Sequence, residues 1–160
     1  MERALLVTVK LEHEKGTWDV VERERELREL AVTAGAKVVK EELCHRDKPT
    51  PDLYVGEGKA SEIADVAYQQ KIRTVIFNND LTGTQKRNLE ETIQAKVVDR
   101  TQLILDIFAR HAKSPEGKAQ VELAQLEYLL PRLSGKRTEL SRLGGGIGTR
   151  GPGEQKLEED

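Results

Sequence analysis

The residues best suited to chemistry lie near the end of the chain. From Arg132 to Arg150 the cations Arg132, Lys136, Arg137, Arg142 and Arg150 stand against Glu139 alone, and they run into Gly144, Gly145, Gly146, Ile147, Gly148, Gly151 and Gly153. Guanidinium groups pair phosphates bidentately, while glycine lets a backbone approach a surface and present its N–H groups to it. Such a set suits contact with an RNA backbone. The bland alternative is a linker between helices with incidental charge, although about two to eight residues would serve for that.

Elsewhere the candidates are thinner. Gly56-Glu57-Gly58-Lys59 follows Tyr54-Val55 and precedes a predicted helix, where backbone amides either hold an anion or make an ordinary turn and cap. Asn78-Asn79-Asp80 and Asp99-Arg100-Thr101 fall at the carboxyl ends of predicted strands, where open parallel sheets bind ligands; these are also the residue types that cap helices. Gly56, Gly58, Lys59, Asn78, Asp99 and Arg100 therefore form the candidate nucleotide or anion site. A P-loop requires G-x-x-x-x-G-K-[ST], and both Gly58-Lys59-Ala60 and Gly135-Lys136-Arg137 fail at the hydroxyl position. No GTPase site and no catalytic residue is read in the chain. Cys44-His45, His13 and His111 lack a ligand spacing, and neighbours in an extended segment face opposite ways, so no metal site is assigned.

The bulk properties are those of a folded, charge-rich protein: 160 residues, 37% hydrophobic and 34% charged, with 26 Lys+Arg against 28 Asp+Glu and a net charge of -2. Near neutrality weighs against a nucleic-acid coat over the whole surface and leaves room for a local basic patch. No run approaches the roughly 18 apolar residues of a membrane span, and Ala4 to Val7 is too short for a secretory core, so a cytoplasmic protein without a membrane partner is expected. Cys44 is the only cysteine, which excludes an intrachain disulfide.

The elements that must position these residues follow from periodicity. Strands are predicted at Leu5 to Val9, Ala36 to Val39, Thr74 to Phe77 and Lys96 to Val98, spaced widely enough for a crossover helix each time. Val20, Leu27, Leu30, Ala31 and Ala34 mark the inner face of a first helix ended by Gly35, and Ile63, Ala64, Ala67 and Tyr68 one face of a second. Thr82 with Gln85 is a capping-box pattern opening a third, through Leu89 and Ile93. The segment Pro49 to Lys59 is compatible with a short edge strand. Right-handed crossovers make residues 1–112 a small α/β domain with a parallel sheet and flanking helices.

Residues 113–160 form a helical arm. Ser114-Pro115 starts a helix whose Ala119, Leu123, Leu126, Leu130, Leu133 and Leu140 trace a coiled-coil-like seam that needs a partner, and Pro131 is expected to stop or kink it. Glu154 to Asp160 reads as the first turns of a second helix, so a fragment or a shortened form is expected.

Five blocks carry a family resemblance: Tyr54 to Lys59, Gln85 to Glu90, Asp99 to Arg110, Glu116 to Leu126 and Gly145 to Glu154. Together they resemble the N-terminal region of HflX-type GTPases, in order and over essentially the whole chain. The resemblance implies an N-terminal α/β domain, a long antiparallel helical hairpin and then a GTPase domain. It implies a factor that binds the large (50S) ribosomal subunit in ribosome splitting, rescue or biogenesis. The loop Gly144 to Gly153, with Arg142 and Arg150 beside it, would then be the hairpin tip that reaches rRNA. GTP and Mg²⁺ would belong to a GTPase domain beyond Asp160, leaving this chain without a cofactor and as a monomer partnered by that domain. Two other readings remain open at this point: an α/β domain that binds or hydrolyses ATP at its carboxyl edge, and a protein-interaction module that uses the leucine seam.

Overall fold

The computed structural model describes residues 1–14 and 17–132, without the side chains of Thr17 and Trp18. The elements are β1 (Glu2–Leu11), α1 (Thr17–Thr33), β2 (Ala36–Arg46), α2 (Glu57–Gln69), β3 (Thr74–Phe77), α3 (Gly83–Ile93), β4 (Lys96–Asp99), α4 (Arg100–His111) and α5 (Pro115–Leu129), closed by a 3₁₀ turn at Leu130–Arg132. All strand pairs are parallel, in the order β2-β1-β3-β4.

An apolar run that is buried on both faces belongs at the centre of such a sheet, and β1 is that strand. Leu5, Val7, Val9 and Leu11 meet Ala60, Ile63 and Ala67 of α2 and Leu89 and Ile93 of α3 on one face. Ala4 and Leu6 meet Leu27, Ala31 and Ala34 of α1 and Leu103 of α4 on the other. Chain progression reverses between β1 and β3, which makes the space outside their carboxyl ends the topological switch point of the sheet.

Local signals hold where they are chemical. Gly35 ends α1 at φ 93°, Thr82 and Gln85 close a reciprocal capping box, and Ser114 caps α5 with Pro115 as its first residue. Long-range context changes three readings. β2 extends to Arg46, well past the apolar run, because its polar residues have partners on both faces: Arg28 of α1 meets Glu41 at 2.8 Å and Lys59 of α2 meets Glu42 at 3.2 Å. The segment Pro49 to Lys59 adds no strand to the sheet. It makes one isolated antiparallel bridge, Thr50 to Tyr54, and turns Leu53, Tyr54 and Val55 into the core, since two prolines without N–H donors cannot continue a ladder. Tyr68 leaves the inner face of α2 at 88% exposure, and Ala60, Ile63 and Ala67 fill that face.

The helix α5 packs on the domain through a face offset from the predicted leucine seam. Leu123 and Leu130 of the predicted seam are 56% and 59% exposed, and Gln125, Tyr128 and Leu129 face the domain. Pro131 coincides with the change from α-helix to 3₁₀ turn. Among the described residues no helix is long and apolar enough to cross a membrane.

Candidate functional site

Three loops meet at the carboxyl edge of the sheet, and the polar residues there are bound chiefly to one another. The β1–β3 ladder stops at Val7 and Phe77. Beyond it the Asn79 side chain continues the pairing: Oδ1 accepts from Val9 N at 3.0 Å and Nδ2 donates to Val9 O at 3.0 Å. Asn78 Nδ2 donates to Thr8 Oγ1 at 3.1 Å and to Arg23 O at 3.0 Å, while its Oδ1 accepts from Arg100 at 3.1 Å. The same guanidinium reaches Glu26 at 3.1 Å. Asp80 accepts from the hydroxyl of Thr101 at 2.8 Å. The structure thus brings Asn78, Asp99 and Arg100 together, with their polar groups occupied by the protein itself.

Asp99 ends β4 and caps α4, accepting from Gln102 N at 3.0 Å. Its second oxygen accepts from Leu81 N at 3.0 Å and from the hydroxyl of Tyr128 on α5. The residue is 4% exposed, and burial pushes its carboxyl above the usual aspartate range against the hydrogen bonds from Tyr128, Leu81 and Gln102. Burial, with the neighbouring Asp99 charge, holds the Tyr128 phenol well above the ordinary tyrosine range.

Further contacts fasten α5 to the domain beside that one. Asp106 Oδ1 accepts from Gln102 at 2.9 Å and from Gln125 of α5 at 3.0 Å. Arg132 lies over the Tyr128 ring at 3.6 Å, donating to Leu81 O at 3.1 Å and to Tyr128 O at 2.9 Å. Gly83, at the start of α3, sits so close to this turn that a Cβ there would stand 1.9 Å from Arg132 O. Of the cations predicted to contact RNA, Arg132 is thus engaged within the protein, in the turn after α5. Lys136, Arg137, Arg142, Gly144, Gly145, Gly146, Ile147, Gly148, Arg150, Gly151 and Gly153 lie outside the described residues.

Gly56, Gly58 and Lys59 form a separate group at the start of α2. Gly56 has φ 84° under the guanidinium of Arg46, which donates to Val55 O at 2.7 Å. Lys59 is held by Glu42 at 3.2 Å and Glu62 at 3.1 Å. Cys44 is buried and His45 exposed, as alternation along a strand requires.

Tyr128, Gln125, Asp106 and Gly83 were not legible as site residues. The one signal, and only for Gln125 and Tyr128, is their spacing with Arg132 on the side of α5 opposite its exposed leucines.

Comparison with known proteins places this arrangement. Residues 22–109 match the family described as the GTP-binding GTPase N-terminal region, and residues 111–160 the GTP-binding GTPase middle region. A GTPase HflX of Caldanaerobacter subterraneus subsp. tengcongensis is 52% identical over 159 residues, 99% of this chain and 36% of that protein. That of Escherichia coli K12 is 44% identical with the same coverage, so the chain spans about a third of the length of these relatives. A GTP-binding protein from Sulfolobus solfataricus in complex with GDP superposes with TM-score 0.66 at 29% identity, over 86% of this chain and 40% of that one. The chain belongs to the HflX-type GTPases and matches their N-terminal and middle regions.

Proposed function

We propose that this chain is the ribosome-docking part of an HflX-type GTP-binding translation factor, a body of residues 1–112 carrying an arm of residues 113–160 to the rRNA of the large subunit. The observation that carries the proposal is one of placement. The cationic, glycine-rich run from Lys136 to Gly153 follows directly on a helix root fastened to the α/β domain by Asp99, Asp106 and Leu81. A basic, glycine-rich segment on a fixed root has the chemistry to grip sugar-phosphate backbone and the support to be aimed. Its work is binding. GTP, Mg²⁺ and hydrolysis belong to a GTPase domain of the whole protein, whose nucleotide state sets affinity in splitting, rescue or biogenesis of ribosomes in the cytoplasm.

The test is co-sedimentation with large subunits over a salt series. Arg142→Glu with Arg150→Glu is expected to weaken binding and to lower the salt slope by about 0.7–0.9 for each phosphate no longer neutralised. Binding and slope that match the parent chain would overturn the proposal.

A further inference from the structure

A helix that packs on a domain ordinarily buries its apolar stripe. The helix α5 fully buries only Leu129 and otherwise meets the domain through Gln125, Tyr128 and, from the turn after it, Arg132, leaving Leu123 and Leu130 exposed. Apolar contacts tolerate sliding, whereas hydrogen bonds weaken steeply with angle. A helix held by polar contacts is therefore held in one direction.

We propose that Tyr128 and Gly83 are positioning residues that aim the arm, acting as a latch between the end of α5 and the loops after β3 and β4. Two points define the axis of α5. The first is the short connection Ala112 to Ser114 after α4, closed by the Ser114 cap. The second is the latch, which holds α5 and the turn after it at Asp99, Leu81 and Gly83. At 1.5 Å per residue the two points are roughly 20 Å apart, so a shift of about 1 Å at the latch tilts the axis by roughly 3°. The latch thus sets the direction in which α5 and the turn after it end at Arg132. Gly83 has no need of glycine for its own backbone, since its φ lies outside the left-handed region; what it supplies is room for the carbonyl of Arg132. Alanine at that position would favour α3 and push the turn away.

The consequence for large subunits rests on the docking function proposed above; the latch itself does not. Spin labels on Asp65→Cys and Glu127→Cys, in a Cys44→Ala chain, report the distance from α2 to α5. The parent should give one narrow distribution, and Tyr128→Phe and Gly83→Ala should each broaden or shift it while the circular dichroism of the fold is kept. Distributions identical to the parent in both variants would overturn the latch. Large-subunit binding, measured where circular dichroism shows each variant fully folded, supplies a second readout. If the aimed fraction falls to about a third, the apparent Kd rises about threefold, and the salt slope stays at the parental value because every phosphate-pairing cation is retained. A lowered slope in Tyr128→Phe would count against a purely positioning role. Shifted distributions together with unaltered binding by Arg142→Glu/Arg150→Glu would retain the latch and remove the docking function.

Discussion

The side-chain amide of Asn79 is hydrogen-bonded in both directions to the backbone of Val9, each bond 3.0 Å long. It takes the place of a strand residue two positions beyond the last β1–β3 pair, at Val7 and Phe77. Ligands of open α/β sheets enter at this crevice between strands that diverge in chain order. Here the protein's own amide closes it.

Replacing Asn79 should therefore cost stability. Val9 is wholly buried, so Asn79→Ala leaves its N–H and C=O without these partners. With about 1–3 kcal/mol for each of the two unsatisfied buried groups, the expected loss is about 2–6 kcal/mol by urea denaturation. A change below about 1 kcal/mol would mean that the amide is incidental.

The nucleotide question has a direct test. Asn78, Asp99 and Arg100 share an edge, but Arg100 is bound to Asn78 and Glu26, and Asp99 to Leu81, Gln102 and Tyr128. Equilibrium dialysis of this chain with labelled ATP and GTP should find neither held more tightly than about 1 mM. Micromolar binding of ATP would reverse the assignment of that edge to structure.

Tyr128→Phe should show a characteristic pH dependence. Burial raises the Asp99 carboxyl, and the Tyr128 hydrogen bond is the largest effect that opposes the rise, so this bond favours the carboxylate. Because the folded pKa lies above the unfolded one, the folded chain keeps this proton over a window in which the unfolded chain has released it. The group's contribution to stability therefore falls as pH rises through the window and recovers on acidification. Without the Tyr128 bond the carboxylate is still less favoured. The substitution should cost about 1.5–3 kcal/mol at a pH above this window, where the acceptor is charged, and about 1 kcal/mol at a pH below it. Denaturation curves at the two pH values give the comparison, and an equal cost at both would show that the bond does not serve an ionised Asp99.

Cys44 offers a probe of the sheet. Its thiol is buried under α2, and burial pushes it above the ordinary cysteine range. A disulfide reagent should label the native chain on the order of a hundredfold more slowly than the chain in urea, with a rate that follows opening of the fold. Rapid native labelling would show that the edge of the sheet at β2 opens locally.

Much of the architecture is written in short-range patterns. Alternation of apolar runs with helical periods predicts the four parallel strands, and Gly35, Thr82 with Gln85, and Ser114 with Pro115 mark helix ends, because each of those signals acts within a few residues of itself. Family membership was legible for a similar reason, since the blocks Asp99 to Arg110 and Glu116 to Leu126 are long enough to identify their source. The full reach of β2 was not, because polar residues there are stabilised by partners on α1 and α2 that no local window contains.

The carboxyl edge and the seat of α5 belong to the second kind. Asn79 can be read as a cap or as a ligand until folding sets it beside Val9, 70 positions away, and Tyr128 is one more residue of an amphipathic helix until Asp99 meets it from 29 positions away. A hydrogen bond depends on distance and angle in space, and neither is a property of neighbours along the chain. The leucine period of α5 therefore announced a helix correctly, but which side of that helix would face the domain was settled by the two connections after β3 and β4, at Leu81, Gly83 and Asp99.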